Sequence, residues 1–351
     1  MSKCYNKKVN NSYNEKDSSI SFILALFLPS VLAIFFILIL SFFYGANEIQ
    51  NSIIYKLVSI VISQIAFLLI YFVLTKQRKI KFSEIKHKKL NILQIFILLL
   101  ISACCLFLIS PIINVYDSVL SLIGIKEQTL PLSLDNPLNF VYLIFAMGII
   151  APISEELLFR GIILQGLEKK GTTKAVLISA LMFMLMHLSL HQTIYQFLLG
   201  IIMALIVLYT QSIFASIFVH FVNNSVVLII NYINPQLFEY RYLTSNYIIL
   251  AVVLFLFALF VLFYLLKWLK KVGENKKSVK NLAKVELTDN KNESILQKSE
   301  MQNLANQNAS EQKPTSQNLN KTLTKKPKIS WLCASLICGA IIWILNIILS
   351  L

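Results

Sequence analysis

The sequence predicts an all-helical, polytopic membrane protein, a transmembrane helical bundle of about eight to nine spans. Of its 351 residues, 57% are hydrophobic and only 14% are charged, whereas soluble globular domains have about 45–50% apolar and about 25% charged residues. Apolar runs recur along the whole chain, each near the roughly 20 residues that cross about 30 Å of hydrocarbon as a helix. The predicted spans are residues 20–44, 53–75, 91–113, 138–164, 174–190, 193–210, 212–233, 246–268 and 329–351.

The positive charge of the chain favours a lipid surface over nucleic acid as its partner. The formal net charge is +15, but Lys and Arg lie between apolar runs and in one polar segment. Residues 76–90, 169–174 and 267–271 are basic, whereas loops 45–52 and 114–137 hold almost no Lys or Arg. Because cytoplasmic loops carry the excess of basic residues, this alternation predicts a multi-pass protein of the cell membrane with a cytoplasmic N-terminus and no nucleic-acid partner.

Composition divides the chain into six regions. One of them is rich in Asn, Gln, Lys, Ser and Thr and contains no aromatic residue, so it has too little apolar surface to offset the entropy of ordering. The predicted regions are a cytoplasmic N-terminal tail (1–19), N-terminal transmembrane helices (20–137), a core of transmembrane helices whose polar residues are described next (138–233), a further transmembrane helix (234–271), this disordered polar linker (272–328) and an appended transmembrane helix (329–351).

Three charged residues, Glu155, Glu156 and Arg160, lie within one long apolar run. A charged side chain at the centre of a membrane helix costs about 2.5–3.5 kcal/mol on insertion scales, so such residues are paired, face a cavity or take part in chemistry. Glu156 and Arg160 are four residues apart and share a helix face, which predicts an ion pair. Glu155 points about 100° away from Glu156, so one carboxylate is neutralised and the other faces the interior.

Polar residues of two other spans are predicted to reach a similar depth. At 1.5 Å per residue, Glu155 lies roughly 21 Å and His187 roughly 20 Å from the basic ends of their helices. On a third span, Asn224 and His220 lie roughly 18 Å and 12 Å from the same side. We therefore expect these four side chains to converge. His191, one turn after His187, leaves open a metal-binding pair.

Convergence of these groups favours hydrolysis of an amide bond by an activated water. Burial disfavours the charged form of a carboxylate that lacks its own cation, so Glu155 can take a proton from water, as a general base does. His187 can share that water. His220 and Asn224, on one helix face, can donate hydrogen bonds to an oxyanion. Asn223 is the alternative amide, although the four-residue spacing favours Asn224.

Three motifs occur in a fixed order, and together they resemble a known family. The resemblance is to the CPBP family of intramembrane proteases, which includes CAAX prenyl protease 2 and the bacteriocin-processing, Abi and lysostaphin resistance protein A-like proteins. It covers roughly residues 138–232 and implies a CAAX-protease-like core with endopeptidase activity. The motifs are Glu155-Glu156-x-x-x-Arg160, Phe183-x-x-x-His187 and His220-x-x-x-Asn224.

The resemblance also implies a role for each matched position. Glu155 and His187 would activate the water. His220 and Asn224 would stabilise the oxyanion, and the remaining acid and arginine would match a supporting pair. Members of the family are often labelled metalloproteases, and a divalent metal such as zinc would be held by Glu155, His187 and His220. The chain has no His-Glu-x-x-His zinc signature, which favours a metal-free mechanism.

The substrate is predicted to be a peptide or a membrane-anchored protein. High Asn, Lys and Ile usage is typical of an AT-rich bacterial source, which favours processing of a peptide, pheromone or bacteriocin, or self-immunity, over true CAAX processing. The alternative interpretation is a purely structural ion network. It would belong to a non-enzymatic immunity or scaffold protein, or to a transporter, because intramembrane charges also mark transport pathways.

Overall fold

Nine helices of at least 15 residues and no β-strand are present in the described part of the chain, which confirms the all-α class. The computed structural model describes residues 12–49, 51–81, 86, 88–125, 132–234, 244–303 and 330–350. A four-residue helical turn, Ala46–Ile49, follows the first helix. In chain order the nine helices are α1 (Glu15–Leu40), α2 (Ile53–Arg78), α3 (Ile92–Leu122), α4 (Pro137–Lys170), α5 (Thr172–Met186), α6 (Thr193–Thr210), α7 (Ile213–Ile233), α8 (Ser245–Asn303) and α9 (Trp331–Ser350).

Eight helices in the described residues are long and apolar enough to cross a membrane, the lower value of the predicted range. The exception is α5, whose 15 residues extend roughly 22 Å. The predicted span 174–190 ends at Met186, because His187 caps the helix and Leu188 takes a left-handed φ of 50°. The chain therefore turns back into α6 before α5 reaches the length of a full span.

The first helix begins earlier than the sequence predicts, because its start is capped. The Asn14 side chain accepts a hydrogen bond from the Asp17 backbone N–H, and the Asp17 carboxylate accepts one from the Asn14 N–H. This capping box satisfies backbone donors that a helix start leaves without partners. Helical structure thus begins inside the region predicted as a tail, of which residues 1–11 lie outside the described chain.

Helix α4 lies at the centre of the bundle. It packs against α1, α2, α5 and α7, and Leu158 and Phe159 near its middle are fully buried. Large apolar side chains of the outer helices, such as Phe35, Phe72 and Phe107, are instead exposed. This distribution suits a bundle that is surrounded by lipid and keeps its polar residues inside.

One face of the bundle brings together the ends of four helices. Asp17 at the start of α1 pairs with Arg78 at the end of α2, with Oδ1 and Nη2 2.5 Å apart. Glu15 pairs with Lys170 at the end of α4, with Oε2 and Nζ 3.0 Å apart, and accepts a hydrogen bond from the Ser330 hydroxyl just before α9. We call these five residues the face cluster. Helices α1 and α9 both start at this face.

Helix α8 extends beyond the predicted span 246–268. It continues to Asn303, into the region predicted as a disordered linker, where Lys, Glu, Leu, Gln and Ala supply good helix propensity. Residues 304–328 of that linker lie outside the described chain. Residues 271–329 form one unit, and the remaining residues form the other.

Candidate active site

Two π-helical turns flank the carboxylates of α4. The turn Ile144–Ile150 precedes the α-helical stretch Ala151–Leu158, and the turn Phe159–Ile163 follows it. A π turn widens the hydrogen-bonding ladder from i+4 to i+5 and occurs frequently at functional sites. The segment that carries both acids is therefore separated from the rest of α4 on each side.

Side chains from two other helices hydrogen-bond to the carbonyls of these wide turns. Asn224 Nδ2 of α7 donates to Met147 O at 3.0 Å. Ser18 Oγ of α1 donates to Ile163 O at 2.9 Å. Each π turn is thus matched by a polar donor on a neighbouring helix, which fixes the acidic segment between α1 and α7.

The predicted ion pair between Glu156 and Arg160 is present and fully buried. Arg160 Nη1 lies 2.8 Å from Glu156 Oε1, and Nη2 donates to Gly200 O of α6 at 3.2 Å. The guanidinium carbon also lies 4.5 Å from the centroid of the Phe183 ring. A buried charge is tolerable only when it is paired and hydrogen-bonded, and Arg160 meets this condition with three partners.

Glu155, the adjacent acid, has no cation of comparable proximity. It is buried, and its Oε2 has no hydrogen-bond partner among the described residues. His220 Nε2 lies 3.9 Å from that oxygen, beyond hydrogen-bond distance. His220 Nδ1 lies 3.2 Å from Glu156 Oε1. The imidazole therefore stands between the two carboxylates, and we call Glu155, Glu156, Arg160 and His220 the interior cluster.

His187 reaches the same place from the end of α5. Its Nδ1 lies 2.8 Å from Phe183 O, and because a carbonyl only accepts, Nδ1 carries the proton and donates it. Nε2 is left with a lone pair. The Phe183 ring contacts both imidazoles edge-on, with centroid distances of 4.8 Å to His187 and 6.0 Å to His220. Phe183 thus links the second and third motifs.

The two asparagines of α7 differ in their partners. Asn223 is buried, donates to Val219 O at 2.8 Å and accepts a hydrogen bond from the Tyr195 hydroxyl at 3.0 Å. Asn224 is half-buried and uses one amide N–H on Met147 O. Its second N–H is a donor that could serve an oxyanion. Asn223 Nδ2 also keeps a second N–H, but the Asn223 Oδ1 is held by the Tyr195 hydroxyl.

His191 is engaged elsewhere. Its Nδ1 lies 3.1 Å from Oδ1 of Asp117, near the end of α3, and its Nε2 lies 3.3 Å from the backbone O of Ile125, just after that helix. To bind a metal ion together with His187, His191 would have to give up one of these two contacts. The structure therefore gives His191 a role in holding the turn between α5 and α6.

The residues that the sequence offers for zinc do not form a ready ligand group. Among the described residues, no three or more His, Cys, Asp or Glu side chains are grouped so as to hold a metal ion. His187 and His220 both contact the Phe183 ring, and the Nδ1 atom of each imidazole faces an oxygen atom of the protein. Nε2 is therefore the nitrogen of each ring that a metal ion would use.

Gly200 and Ser18 take part in the site and are not suggested by the sequence motifs. Gly200 supplies a carbonyl to Arg160 because α5 and α6 approach closely: a Cβ at Gly200 would lie 3.0 Å from Ala180 Cα. Ser18 donates a hydrogen bond to the carbonyl of Ile163, which lies 145 positions later in the sequence. The glycine within an apolar helix was the one available signal, since small residues allow close helix approach in lipid.

The fold and the site together define a class. A multi-pass helical bundle buries an acid and one imidazole, and a second imidazole and a carboxamide lie half-buried on the helices that pack around them. Such an arrangement suits activation of water within a membrane protein.

Residues 137–226 match the family of Type II CAAX prenyl endopeptidase Rce1-like proteins. The matched segment contains all three motifs and covers about a quarter of the chain. It confirms the relation to the CPBP family that the motifs predict, and it implies protease activity in general, in a multi-pass membrane protein. No curated protein and no solved structure matches the chain.

Proposed function

We propose that the protein is an intramembrane endopeptidase in which Glu155 acts as the general base on a hydrolytic water. One observation carries the proposal: of two adjacent buried acids, Glu156 pairs with the Arg160 guanidinium at 2.8 Å, whereas Glu155 has only His220 Nε2, 3.9 Å away, as an ion-pair partner among the described residues. Glu155 is therefore the acid of the two that is not already held by a guanidinium and can take up a proton.

The charges of the interior cluster support this assignment. Two carboxylates, one guanidinium and a doubly protonated His220 sum to zero. Moving the proton from His220 to Glu155 keeps the sum at zero. The cluster can therefore hold one mobile proton on either group without leaving a net buried charge, which is the costly state in a low-dielectric interior.

In the proposed reaction, Glu155 takes a proton from water while the oxygen attacks the carbonyl carbon of the scissile amide. His187 Nε2, the lone-pair nitrogen, accepts the second hydrogen bond of that water and orients it. The C=O π electrons move onto oxygen and form a tetrahedral oxyanion. Glu155 then gives its proton to the leaving nitrogen as the C–N bond breaks, so no net proton is consumed by the enzyme.

Two donors are available for the oxyanion. The free N–H of Asn224 and Nε2–H of protonated His220 come from adjacent turns of α7, four residues apart. Removing one donor of such a pair typically costs about 10²–10³ in kcat. Glu156, by accepting from His220 Nδ1 at 3.2 Å, orients the imidazole so that Nε2 is the atom directed away from the ion pair.

We propose a metal-free mechanism and a peptide substrate. The ligand geometry described for the site supports the first part, because Glu155, His187 and His220 are not grouped as a metal site. The Asn-, Lys- and Ile-rich composition supports bacterial peptide, pheromone or bacteriocin precursors over prenylated CAAX proteins. We place the enzyme in the cell membrane with the face cluster on the cytoplasmic side, where the basic loops lie.

The experiment is a cleavage assay of the purified full-length protein in lipid nanodiscs against a library of peptides, with products identified by mass spectrometry. Wild type is compared with Glu155→Gln, with Glu155→Ala and with Glu48→Gln, an exposed acid outside the site. We expect cleavage by wild type and Glu48→Gln only, and no loss with 1,10-phenanthroline. Equal cleavage by the Glu155 variants would remove the mechanism, and loss with the chelator would remove its metal-free form.

A further inference from the structure

The turn that follows His187 holds a strained backbone. Leu188 has a φ of 50°, in the left-handed region that side-chain-bearing residues rarely adopt. Such a conformation persists only where surrounding contacts determine it. The contacts that hold this turn come from two different parts of the chain.

Residues near the end of α3 and just after it hold residues 190 and 191 of this turn. The Tyr116 hydroxyl donates to Leu190 O at 2.9 Å. His191 lies 3.1 Å from Asp117 Oδ1 and 3.3 Å from Ile125 O. These contacts fix residues 190 and 191 but do not reach Leu188.

The appended helix α9 holds the first residue of the turn, Leu188. Asn346 Nδ2 donates to Leu188 O. Because a carbonyl oxygen only accepts, the amide nitrogen is the atom that must face it. Helix α9 is seated closely at this place: a Cβ at Gly339 would lie 2.7 Å from the Phe22 ring and 3.5 Å from Leu185 Cδ1. Helix α9 therefore packs closely against α1 and the last turn of α5.

We propose that Asn346 is a positioning residue for His187, and that α9 is a working part of the catalytic unit. His187 directly precedes Leu188, so the peptide unit whose oxygen Asn346 binds lies one residue from the imidazole. A shift of that carbonyl displaces His187 relative to Phe183 O, its Nδ1 partner, and moves Nε2 away from the water. The catalytic consequence rests on the proposed function, whereas the structural part does not. Residues 137–226, the family segment, do not include α9.

The structural part is tested by hydrogen–deuterium exchange on the full-length protein in nanodiscs, without substrate. Asn346→Leu keeps the approximate shape and apolar character of the helix but removes the donor. Leu345→Ala, at a 52% exposed neighbour, is the matched control. We expect exchange of the amides in residues 187–193 to rise at least about threefold in Asn346→Leu, as loss of one net hydrogen bond predicts, and to stay unchanged in the control. Unchanged exchange, or faster exchange spread over all of α1 and α9, would overturn local positioning.

The catalytic part is tested on a peptide that wild type cleaves. We expect Asn346→Leu to lower kcat by about three- to tenfold with KM unchanged, and Asn346→Gln, which keeps an amide donor, to restore most of the rate. An unaltered kcat in Asn346→Leu would reject the positioning role. If Glu155→Gln also cleaves, the proposed function fails while the exchange result still stands; if Glu155→Gln is inactive and Asn346→Leu is fully active, only this inference fails.

Discussion

The face cluster and the interior cluster are built from the same kinds of groups but differ in how completely their polar atoms are matched. At the face, all four carboxylate oxygens of Asp17 and Glu15 have a hydrogen-bond or ion-pair partner. In the interior, Glu155 Oε2, Glu156 Oε2 and Arg160 Nε have no hydrogen-bond partner in the described chain. The better-matched cluster is the one nearer to water.

The unmatched polar atoms of the interior cluster lower its contribution to the stability of the fold. Each unmatched buried polar atom costs about 1–3 kcal/mol, and a donor for each carboxylate oxygen with an acceptor for Arg160 Nε would remove that cost. The face cluster shows that the same fold satisfies carboxylates fully where they only join helices. The unmatched atoms of the interior are available to a water and a substrate instead.

The largest effect is expected from removing one carboxylate in each cluster. Glu155→Gln should lower kcat by about 10²–10⁴, the usual contribution of a general base, because the amide cannot take the proton of water. Asp17→Asn should leave kcat unchanged, since the face cluster does not contact the reacting atoms. Initial rates of peptide cleavage measure both. A kcat for Glu155→Gln within threefold of wild type would contradict a catalytic role for the interior cluster.

A second large effect is expected when the cation of each cluster is removed. Arg160→Met leaves Glu156 buried without its guanidinium partner, which should lower the free energy of unfolding by about 3–5 kcal/mol. Arg78→Met should cost about 1 kcal/mol, because the Arg78 side chain is 41% exposed and water can replace it. Unfolding in mixed micelles measures both variants. Equal losses would mean that the two ion pairs are equally dispensable.

A medium effect is expected at the glycine on which the start of α1 rests. A Cβ at Gly166 would lie 2.2 Å from Ser18 Oγ and 2.6 Å from Asn14 O. Gly166→Ala should therefore cost about 1–3 kcal/mol of stability through overpacking. Gly45→Ala is the control, because its Cβ would have no neighbour closer than 3.9 Å. If both variants unfold alike, α1 does not dock as closely as described.

The smallest effect is expected for the hydroxyl that binds the second π turn. Ser18→Ala removes the donor to Ile163 O and should cost about 1 kcal/mol, as for one hydrogen bond lost in the interior. Ser41→Ala, which loses an exposed hydrogen bond to Leu38 O, should be neutral. Thermal unfolding distinguishes the two. A neutral Ser18→Ala would show that the wide turn does not depend on α1.

The sequence predicts the features of this protein that depend on local spacing. Apolar runs of about 20 residues located the spans, and the spacing of four located the pair Glu156–Arg160. The three motifs located the family segment that the match at residues 137–226 confirms. Each of these depends on residues within one helix or on the order of helices along the chain.

Features that depend on distant partners were not predictable. The π turns of α4 are matched by Asn224 and Ser18, which lie 77 and 145 positions away from the carbonyls they bind. Asn346 and Leu188 are 158 positions apart, and nothing in the apolar sequence of α9 distinguishes that asparagine from a tolerated polar residue. His191 was open to a metal-binding role because its partner on α3 could not be identified without the fold.

The π turns of α4 also determine the direction in which the side chains of each helical segment point around the helix axis. A π turn takes up about one residue more than an α turn, which advances the side chains that follow by about 100°. The eight residues Ala151–Leu158 are therefore phased independently of the segments on either side. One long helix can thus expose apolar side chains such as Leu138 and Phe145 near its start, direct the acids inward along its middle, and bury apolar side chains such as Ile163 and Leu167 in its last turns.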